Sequence, residues 1–474
     1  MCHGNYTDRI FVMIKLQNVS VDIKNKNILS DINLTVNKGE FILLCGESGC
    51  GKTTMTKLIN GLIPHFVKDS EVSGSVSVAG LDISELPMYK IAEIVGSVFQ
   101  NPKTQFFNTD SCAEIAFGLE NIGADPDYIQ KRVAETISEL SIERLANRSV
   151  FSMSGGEKQL LAFASVYAMD PQVYVLDEPS ANLDQSGIAR LRTILETIKN
   201  SGRTVLIAEH RISYLNKLAD RIIYMKDGRI DKEFTPEEFG GLSDSDRQAM
   251  GLRSICPEEI SIPELVSPRP DPILTVNCLS VKRKKKLVCN NISLSVSAGD
   301  VIGIVGENGN GKSTFCNCLC GLLPSAGGDI LYHGKKLSRR ARTKQFGMVM
   351  QDVNHQLFSD SVKNECLLAN SNATDEEISA LLKSFDLSEY TDSHPLTLSG
   401  GQRQRLAICQ AVMGGKKILI FDEPTSGLDF RHMCRVTELM KQLADKGYIL
   451  FVVTHDYEFL NRACNHYIRI EKSN

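Results

Sequence analysis

The sequence predicts an α/β fold that occurs twice along one chain. Three observations predict it. Two stretches carry the same landmarks in the same order: 24 residues separate Ser154 from Glu178 and Ser399 from Glu423, and 33 separate Asp177 from His210 and Asp422 from His455. In each stretch a fully apolar run enters a glycine-rich loop, the pattern of a strand buried on both faces. In each, a second apolar run ends in two adjacent carboxylates, Asp177-Glu178 and Asp422-Glu423.

Composition sets the frame for these repeats. The chain has 474 residues, too many for one ordinary core and suited to two large domains. An apolar fraction of 42%, a charged fraction of 23% and a net charge of −4 describe a globular chain with no general field for nucleic acid. The longest apolar stretches, such as Lys417 to Phe421 and Ile449 to Val453, fall far short of the ~20 residues that span a bilayer. Met1 to Ile14 lacks the long hydrophobic region of a secretory signal, so a cytosolic chain is expected. Fourteen cysteines are scattered without paired Cys-x-x-Cys sites. Cys316, Cys318 and Cys320 follow Lys312 on an expected helix, where residues two apart diverge, and read as reduced packing residues.

Taken in order, each half opens on a strand-like alternation, Ile32 to Val36 before Gly39 and Ile292 to Val296 before Gly299. The buried strands follow, Phe41 to Cys45 and Val301 to Val305. The first half closes near Phe234, after a hairpin-like Tyr224 to Ile230. The expected domains are 1–235 and 273–474, with a linker over 236–272 whose Ser267-Pro268-Arg269-Pro270-Asp271-Pro272 favours extended backbone. The basic run Lys282 to Lys286 lies between two strand candidates and reads as a solvated hairpin turn.

The glycine-rich loops are Gly46-Glu47-Ser48-Gly49-Cys50-Gly51-Lys52-Thr53-Thr54 and Gly306-Glu307-Asn308-Gly309-Asn310-Gly311-Lys312-Ser313-Thr314. Both match the phosphate-binding P-loop in the right context, after a buried strand and opening a helix. Backbone N–H groups and the helix N-terminus would cradle the phosphates of ATP. Lys52 and Lys312 would reach the β and γ phosphates, and Thr53 and Ser313 would ligate Mg²⁺. Strand alternation would send the paired acids to opposite sides, Asp177 and Asp422 to the Mg²⁺ shell, Glu178 and Glu423 to the attacking water.

Ser154-Gly155-Gly156-Glu157 and Ser399-Gly400-Gly401-Gln402 resemble the signature motif of ABC ATPases. The resemblance covers roughly residues 14–234 and 273–472. It implies two P-loop NTPase domains of the ABC type, each with a mostly parallel core sheet, an antiparallel β subdomain and a helical signature subdomain. It also implies an ATP sandwich within one chain, joining Lys52 and Glu178 to Ser399 and Gly401, and Lys312 and Glu423 to Ser154 and Gly156. By their place in the order, Gln100 and Gln351 resemble Q-loop glutamines that sense Mg²⁺ and γ-phosphate, Leu183-Asp184 and Leu428-Asp429 resemble D-loops, and His210 and His455 resemble switch histidines. Two departures stand out. Ile23 and Arg283 occupy the places where the family usually stacks an aromatic on adenine, and Glu157 replaces the glutamine present at 402.

Around the first Q-loop, Val98-Phe99-Gln100-Asn101-Pro102-Lys103-Thr104-Gln105-Phe106-Phe107 and then Glu114 to Leu119 resemble ATPases of energy-coupling factor transporters. Gln351 to Phe358 with Glu365 is a looser copy. That resemblance implies a motor at the cytoplasmic face of a prokaryotic membrane, importing a vitamin or metal ion with a membrane-spanning coupling protein and a separate substrate-binding membrane component. Residues 101–107 and 352–358 would form walls that grip the partner's helices. A sugar-type tandem importer commonly has a degenerate second site, whereas Lys312, Asp422, Glu423 and His455 are all present. A ribosome-associated tandem ABC protein typically carries a long charged helical linker, unlike this Pro-broken one.

Overall fold

The structure is a computed structural model that describes residues 11–471 apart from 182, 257–258, 268–270 and 284–285. The chain divides into two compact units, residues 1–257 with 427–431, and residues 258–426 with 432–474.

In the first unit, β1 (Val12–Ile23), β2 (Lys26–Asn37), β4 (Ser70–Val78) and β5 (Leu81–Asp82) form an antiparallel sheet in the order β2-β1-β4-β5. A second sheet, ordered β10-β9-β3-β8-β7-β6, contains β3 (Phe41–Gly46), β6 (Val95–Val98), β7 (Val173–Asp177), β8 (Thr204–Ala208), β9 (Arg221–Lys226) and β10 (Arg229–Phe234). Its pairings are parallel except for the closing β9–β10 hairpin. Every residue of β3, β7 and β8 is buried, as apolar strands covered on both faces require. Helices Ser111–Asn121, Pro126–Glu139 and Gly155–Ala168 make the helical part. Beyond β10, Phe239, Leu252 and Ile255 join the core of this unit.

The second unit repeats the plan. β11 (Leu274–Arg283), β12 (Lys286–Val296), β14 (Gly327–Tyr332) and β15 (Lys335–Lys336) form the antiparallel sheet. The all-parallel sheet runs β16 (Phe346–Val349), β17 (Ile418–Asp422), β18 (Ile449–Val453), β13 (Val301–Val305), β19 (His466–Arg469). Arg283 pairs with Lys286 in a hairpin, while Lys284 and Lys285 of the basic run lie outside the described residues, as do Pro268, Arg269 and Pro270 of the linker and residues 1–10. Cys316, Cys318 and Cys320 are packed in the core beneath these sheets, and burial pushes the Cys320 thiol up to about 12. Among the described residues no helix is long and apolar enough to cross a membrane.

Candidate functional site

In both units the P-loop is the turn between the first core strand and a helix, Lys52–Ile59 after β3 and Lys312–Leu319 after β13. Gly46 and Gly306 leave the strand at φ 144° and 150°, and a Cβ on either would sit 2.3 Å from a backbone oxygen, of Met225 or Ile470. Only glycine fits there. The two lysines are buried and fold over the loop. Lys52 Nζ donates to the carbonyls of Gly46 (2.8 Å) and Glu47 (3.0 Å), and Lys312 Nζ to those of Gly306 (2.7 Å) and Glu307 (3.1 Å).

The residue after each lysine meets an acid at the end of a core strand two places across the sheet, β7 or β17. Thr53 Oγ1 donates to Asp177 at 3.2 Å and Ser313 Oγ to Asp422 at 3.4 Å. Each pair offers a hydroxyl and one carboxylate, hard oxygen donors of the kind that hold Mg²⁺ when nucleotide phosphates complete its shell. Burial, and then the neighbouring Glu178, raise Asp177 to about 6 against the help of Thr53 and Lys52. Burial likewise raises Asp422, with Lys312 and Ser313 opposing. An acid raised by folding costs nothing where both states are protonated, below about pH 4, and costs most where both are ionised, above about pH 6. Asp177→Asn is therefore expected to stabilise the magnesium-free chain by about 3 kcal/mol at pH 8 and hardly at pH 4. Chemical denaturation in a chelator at the two pH values measures this.

The paired acids do diverge, but strand alternation is not the reason. β7 and β17 end at Asp177 and Asp422, and Glu178 and Glu423 turn out of line at φ 46° and 48°. Left-handed backbone is costly away from glycine and is held here by the turn's N–H donations, from Glu178 to Ala208 (2.8 Å) and from Glu423 to Val453 (2.9 Å). Glu178 thereby faces Gln100, whose Nε2 donates at 2.7 Å, and His210, whose Nε2 lies 3.3 Å away. His210 is also 3.4 Å from Ser48 Oγ.

The second unit differs in detail. His455 Nε2 lies 3.5 Å from Glu423, 3.0 Å from Lys312 Nζ and 3.0 Å from Asn308 Oδ1. Gln351 is exposed and has no recorded partner among the described residues.

The signature serines cap helices. Ser154 and Ser399 are the N-caps of Gly155–Ala168 and Gly400–Met413, and both make reciprocal capping boxes. Glu157 and Gln402 take the same part, accepting the N–H of Ser154 at 2.9 Å and of Ser399 at 2.7 Å. The Glu-for-Gln departure thus leaves the local geometry intact. At the helix starts Gly155 and Gly400 are exposed, Gly401 is half-buried and Gly156 is buried. Ile23 is half-buried at the end of β1, and Arg283 is exposed at the end of β11. Neither presents an aromatic face, so ATP is expected to be preferred over GTP by less than a hundredfold, roughly 2.7 kcal/mol, when the two are compared as substrates.

The segments after Gln100 and Gln351 are clasped alike. Gln105 accepts from the Phe99 N–H (3.0 Å) and donates to Ser97 O (3.0 Å), while Gln356 accepts from the Met350 N–H (2.7 Å) and donates to Met348 O (2.6 Å). The buried Glu114 accepts the N–H groups of Phe107 (3.1 Å) and Asn108 (2.7 Å). Glu365 does the same for Phe358 and Ser359. The apolar residues of these segments have separate destinations. Phe107 and Phe358 are 74% and 78% exposed, whereas Leu357 is buried and Phe106 packs against the core. A buried acid beside His210, Glu209, has no part in the sequence reading; the only hint there is that Glu209-His210-Arg211 differs from Thr454-His455-Asp456.

A P-loop, a strand-end carboxylate pair and a serine-capped helix that opens on two glycines, present in both units, define a P-loop ATPase class. Residues 29–181 and 289–426 match the ABC transporter family. A protein of Treponema denticola, named among ABC transporter ATP-binding proteins, is 45% identical over 96% of this chain and 94% of its own length. The chain belongs to the ABC transporter ATPases, with two such domains in tandem, and hydrolyses ATP with Mg²⁺. Archaeal ABCE1, in a ribosome-bound model with Pelota, shares the fold at TM-score 0.67 and 23% identity, over 96% of this chain and 76% of that one. The cbiO1 protein of Clostridium perfringens, part of the ABC transporter complex cbiONQ, is 28% identical with TM-score 0.45, over 50% of this chain and 94% of its own.

Proposed function

We propose that the chain is the ATP-hydrolysing motor of a membrane importer of the energy-coupling factor type, taking up a vitamin or a metal ion. In this reading it docks at the cytoplasmic face of a prokaryotic membrane on a membrane-spanning coupling protein, which works with a separate substrate-binding membrane component. The observation that carries the reading is the pair Phe107 and Phe358: each is exposed at the far end of a clasped segment that begins at Gln100 or Gln351. Large exposed aromatics held by buried carboxylates suit a surface made for a partner. A cavity of about 390 Å³ beside Gln356, lined by Phe346, Met348, Met350, Ala407 and Gln410, suits an inserted apolar side chain.

The loops Gly46–Thr54 and Gly306–Thr314 would cradle ATP, with Lys52 and Lys312 on its phosphates. Thr53, Asp177 and Gln100, and Ser313, Asp422 and Gln351, would hold Mg²⁺, which neutralises charge on the transferring phosphate. Glu178 and Glu423 would take the proton of the attacking water, and His210 and His455 would contact the γ-phosphate. Ser154, Gly155 and Gly156, and Ser399, Gly400 and Gly401, would close the sandwich between domains 1–235 and 273–474, joined by the linker 236–272. Their helix N-termini offer N–H donors suited to a phosphate.

Affinity purification of the tagged chain from solubilised membranes tests the proposal. A multi-span membrane protein recovered in stoichiometric amount supports it. Recovery with ribosomal particles and no membrane protein refutes it.

A further inference from the structure

The two units flank their histidines differently. Glu209 precedes His210 where Thr454 precedes His455, and Arg211 follows where Asp456 follows. Glu209 is 2% exposed, and a carboxylate so deeply buried is costly unless donors surround it. Four do. Its Oε1 accepts the N–H groups of His210 (2.8 Å) and Arg211 (3.1 Å), and its Oε2 accepts the N–H of Ser180 (3.3 Å) and the hydroxyl of Tyr214 (2.9 Å). Ser180 lies two residues beyond Glu178, so a single carboxylate ties the turn that carries Glu178 to the turn that carries His210.

In the second unit the acid has changed sides of the histidine. Asp456, 5% exposed, accepts the hydroxyl of Thr425 at 3.0 Å and the N–H of Phe459 at 3.1 Å, and donates its own N–H to Thr454 at 3.0 Å. Thr425 lies two residues beyond Glu423. The surroundings change in step: Tyr214 has a hydroxyl that needs an acceptor, while Phe459, four residues past its histidine as Tyr214 is, has none. The joint between the two turns is kept although the residues that make it are exchanged.

We infer that Glu209 and Asp456 are positioning residues with one task, each holding a catalytic-carboxylate turn in register with its histidine turn. The inference rests on the roles given above to Glu178 and His210. It concerns kcat more than binding, because Glu209 is buried and both of its oxygens are taken up by donors of the protein itself.

The experiment measures ATP turnover by the full chain in four variants. Glu209→Ala is expected to lower kcat at least tenfold with KM for ATP within about twofold. The fourfold variant Ser180→Thr, Glu209→Thr, Arg211→Asp, Tyr214→Phe, which transplants the second unit's arrangement, is expected to return kcat to within about threefold of the starting chain. A kcat for Glu209→Ala within twofold of the starting chain overturns the inference, as does a folded fourfold variant no faster than Glu209→Ala. If the fourfold variant does not fold, Glu209→Gln decides: its amide meets the Ser180 N–H with one acceptor fewer, so a loss of threefold or more supports the inference and an unchanged kcat overturns it. Glu178→Gln is the parallel control. Full turnover in that variant brings down the underlying reading and this inference together, whereas an inactive Glu178→Gln beside an active Glu209→Ala removes the inference alone.

Discussion

Glu178→Gln and Glu423→Gln are each expected to lower ATP turnover at least a hundredfold while leaving ATP binding in place. General-base assistance contributes about 10²- to 10⁴-fold, and glutamine keeps the side chain's shape while removing its basicity. The geometry at Glu178 sharpens the expectation. Its carboxylate receives Gln100 Nε2 at 2.7 Å and lies 3.3 Å from His210 Nε2, so an amide oxygen there keeps the Gln100 donor while the amide NH2 faces an imidazole nitrogen that can accept, and the fold is not asked to rearrange. Binding should persist because the phosphate loop and Lys52 are untouched. Steady-state turnover together with equilibrium binding of a fluorescent ATP analogue separates the two effects. Each unit keeps its own Lys, Asp, Glu and His, and in the proposed sandwich the two sites are expected to turn over as a coupled pair, so disabling either one should slow the whole chain. If either one turns over normally, the unit that carries it is not hydrolytic.

Phe107→Asp is expected to abolish transport while ATP turnover by the isolated chain stays within about twofold. Phe107 is 74% exposed and its ring stacks on Phe117, centroids 4.9 Å apart, so the substitution should cost the isolated fold only about 0.5–1.5 kcal/mol. A charge introduced into an apolar docking surface is a far larger insult, because desolvating it without a partner costs several kcal/mol. Phe358→Asp should behave alike. Leu357→Ala is the contrast: that side chain is 7% exposed, and its loss should destabilise the chain by about 2–5 kcal/mol without selectively breaking association. Vesicle uptake, co-purification and thermal unfolding on the same variants distinguish a docking surface from a packing one. Transport by Phe107→Asp at the starting rate would show that the partner grips elsewhere.

Most of the fold was legible in residue order because its signals are local. Phe41 to Cys45 and Val301 to Val305 are apolar at every position, and such runs go to strands covered on both faces. The glycines at 46 and 306 mark a turn that no side chain could enter, which is why the phosphate loops could be located to the residue. The repeat made each reading testable against its copy. Less could be said of residues 236–256, where Phe239, Leu252 and Ile255 are spaced too irregularly to announce that they complete the core of the first unit.

By itself, then, the sequence determined the class of the protein, its duplication and the place of each P-loop, since those follow from motifs whose chemistry depends on neighbours a few residues away. The tertiary structure alone decided how those side chains are aimed. Glu178 and Glu423 leave their strands through a left-handed turn, Gln100 reaches its carboxylate while Gln351 does not, and Phe106 turns inward where Phe107 turns out. It also placed Glu209 and Asp456, on opposite sides of their histidines, against donors two residues beyond Glu178 and Glu423. The reason is physical: a backbone turn and a buried acid are set by donors brought from other turns, such as Ser180 and Thr425, and distance along the chain carries no record of that approach.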